Sequence, residues 1–237
     1  MENYPKPVPK KCHKTILAQL DNSIYQIKEK GGKCEIGFFC SLKYNKNEII
    51  HVLVTTYQFI NETFYKNINC VDVLINNEYI SIEFGSFSHI NKEYDLGIIE
   101  IKEEEIKKLQ ILELDEGIYN NYSDNYYDQE SIYIIHKDNK NDSYVSYGII
   151  NDINNSEINC SCNMDSYLNN IPIFNLSTNK IIGIYKKNSI YYKKGIYLKF
   201  IIKEIEKVYN KYDNKNNNEI DILININKED INKKYIF

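Results

Sequence analysis

Residues 34–60 read CEIGFFCSLKYNKNEIIHVLVTTYQFI. Two runs rich in β-branched and aromatic residues, 34–43 and 49–55, stand on either side of the polar stretch YNKNE. Runs of this length and composition, bounded by Asn, Lys, Asp and Gly, read as β-strands. The rhythm continues outward in both directions, with further runs at 23–28, 71–75, 79–84, 96–101, 131–136, 144–150, 171–175, 181–186 and 195–200. So many strands with so few helices exclude a parallel α/β sheet, which would interleave helical patterns between its strands. The class is all-β, with the spacing of sandwiches and barrels.

Two segments carry helical spacing. Residues 14–20 form a short opening helix, and 200–212, FIIKEIEKVYNKY, place Ile201, Ile202, Ile205, Val208 and Tyr209 on one face. Such a stripe packs against a barrel. Residues 103–118, EEEIKKLQILELDEGI, are charged and break the strand rhythm, so they are read as the connector between two halves. Residues 119–127, YNNYSDNYY, read as a polar loop because Asn, Asp and Ser dominate them. After Tyr212 comes DNKNNN and then IDILININ at 220–227, in which Ile220, Ile222, Ile224 and Ile226 alternate strictly. That is the pattern of a half-buried strand, which must find a pairing partner. The chain thus divides into an N-terminal unit at 1–112, a second unit at 113–212 and a tail at 213–237.

Composition narrows the function classes. With 29 Lys+Arg against 33 Asp+Glu, the chain lacks the dense basic surface that nucleic acid requires. No apolar run approaches the ~18 residues of a membrane span. The opening MENYPKPVPKKCHK has no secretory apolar stretch, so the expected location is cytoplasmic. Six cysteines are too sparse for a disulfide scaffold. Cys160-Ser-Cys162 offers two zinc ligands, but no second Cys or His pair stands at finger spacing. Phosphate-binding glycine loops are missing as well, and no metal or cofactor is expected.

Three segments succeed one another in a telling order: GFFC at 37–40 with LVTTYQFI at 53–60, then YDLGIIEI at 94–101, then 162–174 followed by NKIIGIY at 179–185. As an ordered set they resemble the three catalytic neighbourhoods of trypsin-like serine proteases, over about residues 5–212. The resemblance implies a chymotrypsin-like fold of two antiparallel six-stranded β-barrels with a C-terminal helix, here followed by an extra strand. It also implies a mechanism. A histidine takes the proton of a serine hydroxyl, an aspartate fixes the histidine, and backbone N–H groups hold the oxyanion.

Carried over residue by residue, the resemblance puts the histidine position at Gln58 and the aspartate at Asp95. The nucleophile position, three residues before Pro172, falls on Asn169. The glycine positions of the oxyanion loop become Tyr167 and Asn170. A glutamine amide does not titrate near neutral pH and cannot act as general base. Asparagine has neither hydroxyl nor thiol to attack with. Losing the serine or the histidine alone costs about 10⁶ in turnover in a measured protease. Asp95 has no imidazole to orient and is expected to bond to nearby backbone or to Gln58. Residues with a Cβ are strained at the positive φ that the oxyanion turn uses.

The resulting expectation is a catalytically inactive homologue that binds a peptide segment or partner protein in or near the inter-barrel cleft, by strand addition. A second reading is an active endopeptidase with a non-standard nucleophile. Ser166 and Cys162 are its hydroxyl and thiol just upstream of Asn169, and Cys162 with His89, placed in a loop, is its replacement pair. His51 is too far, roughly 20 Å along an extended chain, and His136 closes a strand of the second half. A third reading is an assembly domain whose 220–226 strand pairs with another chain.

Overall fold

The computed structural model describes residues 4–29, 32, 34–44, 48–65, 69–120, 124–137, 142–162, 170–187 and 193–213. A first helix, α1 (Lys10–Asn22), leads into six strands: β1 (Tyr25–Lys28), β2 (Cys34–Tyr44), β3 (Glu48–Thr55), β4 (Cys70–Ile75), β5 (Glu78–Asn91) and β6 (Leu96–Ile101). They run in the order β1-β4-β5-β6-β3-β2 and close through the pairing of β1 with β2. Helix α2 (Tyr57–Tyr65) sits between β3 and β4, and β7 (Leu112–Glu113) adds in parallel to β2. The second barrel comprises β8 (Ser131–Lys137), β9 (Ser143–Asn154), β10 (Glu157–Cys160), β11 (Ile171–Asn175), β12 (Ile181–Lys187) and β13 (Lys193–Tyr197). It closes in the order β10-β13-β12-β11-β8-β9. Helix α3 (Leu198–Asp213) follows at once. The expected pair of six-stranded antiparallel barrels with a C-terminal helix is what forms.

Why the key strands read as unbroken apolar runs follows from the two-residue strand period. On β2, Phe39 lies in the core inside the first barrel, while Phe38, Cys40 and Leu42 belong to a core shared with the second barrel. On β3 the split is Leu53 against Val52 and Val54, and on β6 it is Ile99 and Ile101 against Leu96 and Ile98. Both faces of these strands are buried. Helix α3 spans the junction, packing against β2 of one barrel and β12 and β13 of the other while burying Ile201, Ile202 and Ile205.

Several elements depart from the sequence reading. Helix α2 is not among the helical segments that the sequence suggests; Thr56 caps it, its hydroxyl accepting from Phe59 N at 3.2 Å. Strands β7 and β10 are additional, and both are too short to announce themselves by periodicity. The run at 195–200 is strand only to Tyr197, because Leu198 already begins α3. The tail strand at 220–227 lies outside the described residues.

The connector is ordered by one buried carboxylate. Asp115 Oδ1 accepts from Gly117 N at 3.0 Å and from the Tyr127 hydroxyl at 2.7 Å, and its Oδ2 accepts from the Thr178 hydroxyl at 2.6 Å. Its own N–H donates to Ile181 O at 2.8 Å. Tyr127 is fully buried, which corrects the polar-loop reading for this part of 119–127. Tyr119 joins in too, its hydroxyl accepting from Lys43 N at 3.0 Å, and burial pushes that hydroxyl up to about 12.

The six cysteines are free thiols. Among the described residues no helix is long and apolar enough to cross a membrane.

Of the described glycines in the first barrel, Gly97 leaves the least room, since any Cβ there would collide with the Ile60 side chain of α2. Gly97→Ala is therefore expected to destabilise the protein by about 1–3 kcal/mol, the usual range for overpacking. Adding Ile60→Ala should remove the clash, so that urea denaturation of the double variant shows less than the sum of the single losses. Strict additivity would refute the contact.

Candidate functional site

The turn between β5 and β6 is built by local bonds. Asn91 Oδ1 accepts from Tyr94 N at 3.0 Å, Asp95 N donates to Lys92 O at 3.3 Å, and Asp95 takes a φ of 46°. This conformation turns the Asp95 carbonyl toward the second barrel. There it accepts from Lys186 Nζ at 2.7 Å and from Asn170 Nδ2 at 3.4 Å. One residue earlier, the Tyr94 hydroxyl bonds Ser156 Oγ at 2.7 Å. The expected partners of Asp95 were backbone groups or Gln58. The bonds instead run through its main-chain oxygen, from side chains of the opposite barrel.

Lys186, next to last in β12, follows an apolar run and is only 8% exposed. Burial pushes its ammonium down to about 8, against the pull of the Asp95 and Glu35 carboxylates. Sequence reasoning missed this residue; the run IIGIY is followed by two lysines, Lys186 and Lys187, and nothing in that pair marks Lys186 as buried.

Asn170 is fully buried at φ 59°, its N–H donating to Tyr185 O at 3.0 Å. Asparagine is among the few residues with a Cβ that accept a left-handed backbone, so this position takes a glycine-like conformation without a glycine. Its Oδ1 is buried with no hydrogen-bond partner. Tyr167, Ser166 and Asn169 lie outside the described residues.

Gln58 occupies the first turn of α2 with its side chain exposed. The helix carrying it is seated on β6 through Ile60 over Gly97, two residues after Asp95. The structure thus brings Asp95, Asn170 and Lys186 together and holds the helix of Gln58 against the same strand.

The replacement pair fares differently. His89 is not in a loop but within β5, paired with Ile98, buried, and 3.6 Å from Glu204 of α3. Cys162 is buried against Gly148, where a Cβ would fall 2.5 Å from its sulfur. His51 Nδ1 lies 3.1 Å from Ser41 Oγ, and His136 Nε2 lies 3.0 Å from Ser146 Oγ. Each of these imidazoles is engaged away from Asp95. Among the described residues no three His, Cys, Asp or Glu side chains are grouped to hold a metal ion.

No protein-family model matches the chain, and no curated protein matches it in sequence. Solved structures do. Deg5 superposes with a TM-score of 0.55 at 12% identity, over 84% of this chain and 95% of that one. The Rv3671c protease of M. tuberculosis in its inactive form gives 0.56 at 10% identity, over 88% and 99%. A serine endoprotease from Yersinia pestis gives 0.57 at 13% identity, over 87% and 69%.

The likeness is one of fold. The chain adopts the double β-barrel of the trypsin-like serine proteases, and identity this low carries no activity with it.

The Lys186 environment makes a pH prediction. Its proton is held more weakly in the folded protein, about 8, than the ordinary 10.5 expected on unfolding. Between those values the unfolded chain binds more protons, so stability rises with pH across this window. The whole effect amounts to about 3 kcal/mol. Urea denaturation of wild type and Lys186→Met from pH 7 to 10.5 should show wild type gaining on the variant by up to that amount. A constant difference would place the ammonium in water.

Proposed function

We propose that this protein is a catalytically inactive member of the trypsin-like fold that binds an extended peptide or partner segment in its inter-barrel cleft. Gln58, Asp95 and Asn169 stand at the three catalytic positions, and Tyr167 and Asn170 stand in the oxyanion loop. The observation that carries the reading is the bonding at Asp95. His51, His89 and His136 face Ser41, Glu204 and Ser146 rather than its carboxylate, and the second barrel fastens its carbonyl with Lys186 and Asn170. This use of the junction is structural, while the barrels that shape a cleft are retained. Peptide recognition by strand addition needs only backbone N–H and C=O groups and side-chain pockets, which survive the loss of a triad.

The runner-up is an endopeptidase with a non-standard nucleophile, and one observation favours it. An amine pushed down to about 8 lies in the range of a lysine general base. Against it, that amine is already donating to the Asp95 carbonyl, and Cys162 is packed over Gly148.

A single set of measurements separates the readings. Incubated with a random peptide library, the protein should leave every peptide intact and take no fluorophosphonate or iodoacetamide label at Ser166 or Cys162. Peptides selected for binding should slow amide exchange in β12 and α2. Cleavage that disappears in Asn169→Ala, or labelling that disappears in Lys186→Met, would overturn the proposal. So would selected peptides that protect neither element.

A further inference from the structure

Helix α3 bridges the two barrels, and among the described residues Glu204 gives it a polar anchorage to the first barrel. Glu204 Oε2 accepts from Asn91 Nδ2 at 3.1 Å and faces His89 Nε2 at 3.6 Å. Phe200, one turn earlier, meets the Tyr94 ring edge-on at 5.8 Å. The His89 side chain is only 8% exposed, and its Nε2 is buried without a hydrogen bond, whereas Glu204 is 30% exposed.

We propose that His89 and Glu204 form an acid-released latch that holds α3 across the junction of the two barrels. The argument rests on what each state offers a proton. In the docked state the imidazole is enclosed by β5, by β6 through its partner Ile98, and by α3. Glu204 is the charged group facing it from α3; Ile98 faces it from β6, and Ser88 and Asn91 flank it on β5. The separation of 3.6 Å is longer than a charge-assisted hydrogen bond, so the carboxylate offsets only part of the cost of burying an imidazolium. Desolvation accordingly wins and holds the docked imidazole below its ordinary value of 6.5. With α3 lifted, His89 is hydrated and recovers ordinary basicity. The released state therefore binds the proton more tightly, and lowering the pH through 6.5 shifts the balance toward release.

This device is independent of the cleft reading, since it involves none of Gln58, Asp95 or Asn169. Two substitutions give opposite results. His89→Gln keeps a polar group facing Glu204 but cannot titrate, so α3 protection should become flat with pH. Glu204→Gln removes the carboxylate that partly offsets the imidazolium, so release should begin at higher pH than in wild type.

The test is amide exchange by mass spectrometry on the full chain at pH 7.5 and 5.5, corrected for intrinsic rates. Expected is a loss of protection over residues 198–213 in wild type at pH 5.5, with the barrel strands unchanged, and no such loss in His89→Gln. A pH-independent wild type, or an undiminished acid loss in His89→Gln, overturns the latch. Should His89→Gln fail to fold, the wild-type imidazole titration by NMR decides: a midpoint at or above 6.5 overturns the latch, and one below supports it.

Discussion

The structure depends on strands that are apolar on both faces. β2, β3 and β6 each send one side-chain set into the first barrel and the other toward the second barrel and α3. A barrel so built cannot stand alone in water: Phe38, Leu42, Val52, Val54, Leu96 and Ile98 would leave an apolar patch on its outer surface. At about 1.5–3 kcal/mol for each fully buried side chain, docking against the second barrel and α3 recovers this energy. The close approach of the two barrels is therefore explained by core packing.

Apolar packing alone would leave the two barrels free to slide. Polar groups buried in the junction remove that freedom, because each must meet a specific partner or incur a desolvation cost. Asp115 fixes the connector to the start of β12 and to Thr178, the Asp95 carbonyl receives two donors from the far barrel, and Glu204 receives Asn91. These three anchor points, at Asp115, Asp95 and Glu204, lie in different segments of the chain. Together they define a relative position of the barrels, as three points define a plane.

Much of this was legible in the sequence, and the limits have physical reasons. The strands whose both faces are buried were the easiest to read, since continuous runs such as 96–101 and 181–186 admit few alternatives. Helix α2 was hidden because Phe59 and Ile60 extend the apolar run of β3, and its start is marked only by the Thr56 cap. Strand β10 is short and carries Glu157 and Asn159 toward solvent on alternate positions, so only closure by β9 and β13 makes it a strand. His89 was taken for a loop residue because Gly85 and Ser86 interrupt the run; a bulge there, bonded to Glu100, lets β5 bend and continue. The bonding at Asp95 was illegible in principle, since it depends on a main-chain carbonyl that no side-chain pattern reveals.

A lysine bonded to the Asp95 carbonyl decides what this part of the junction is able to do. An imidazole next to a carboxylate is useful because it carries a proton in and out within one turnover, which requires a free second nitrogen aimed at the substrate. Lys186 has one nitrogen, and it is bonded to the Asp95 carbonyl from a side chain almost entirely enclosed. To act as a base it would have to lose its proton and present its lone pair to a substrate while its remaining N–H groups stay bonded across the barrels. Its low basicity is thus better understood as the cost of the fastening than as preparation for proton transfer: burying an ammonium lowers its proton affinity whatever it is used for. Perturbed titration usually suggests a working site, yet ion networks that only hold a structure together produce the same signature. What separates the two is whether the group is free to move toward a reacting atom, and here a 2.7 Å bond between opposite barrels holds it still.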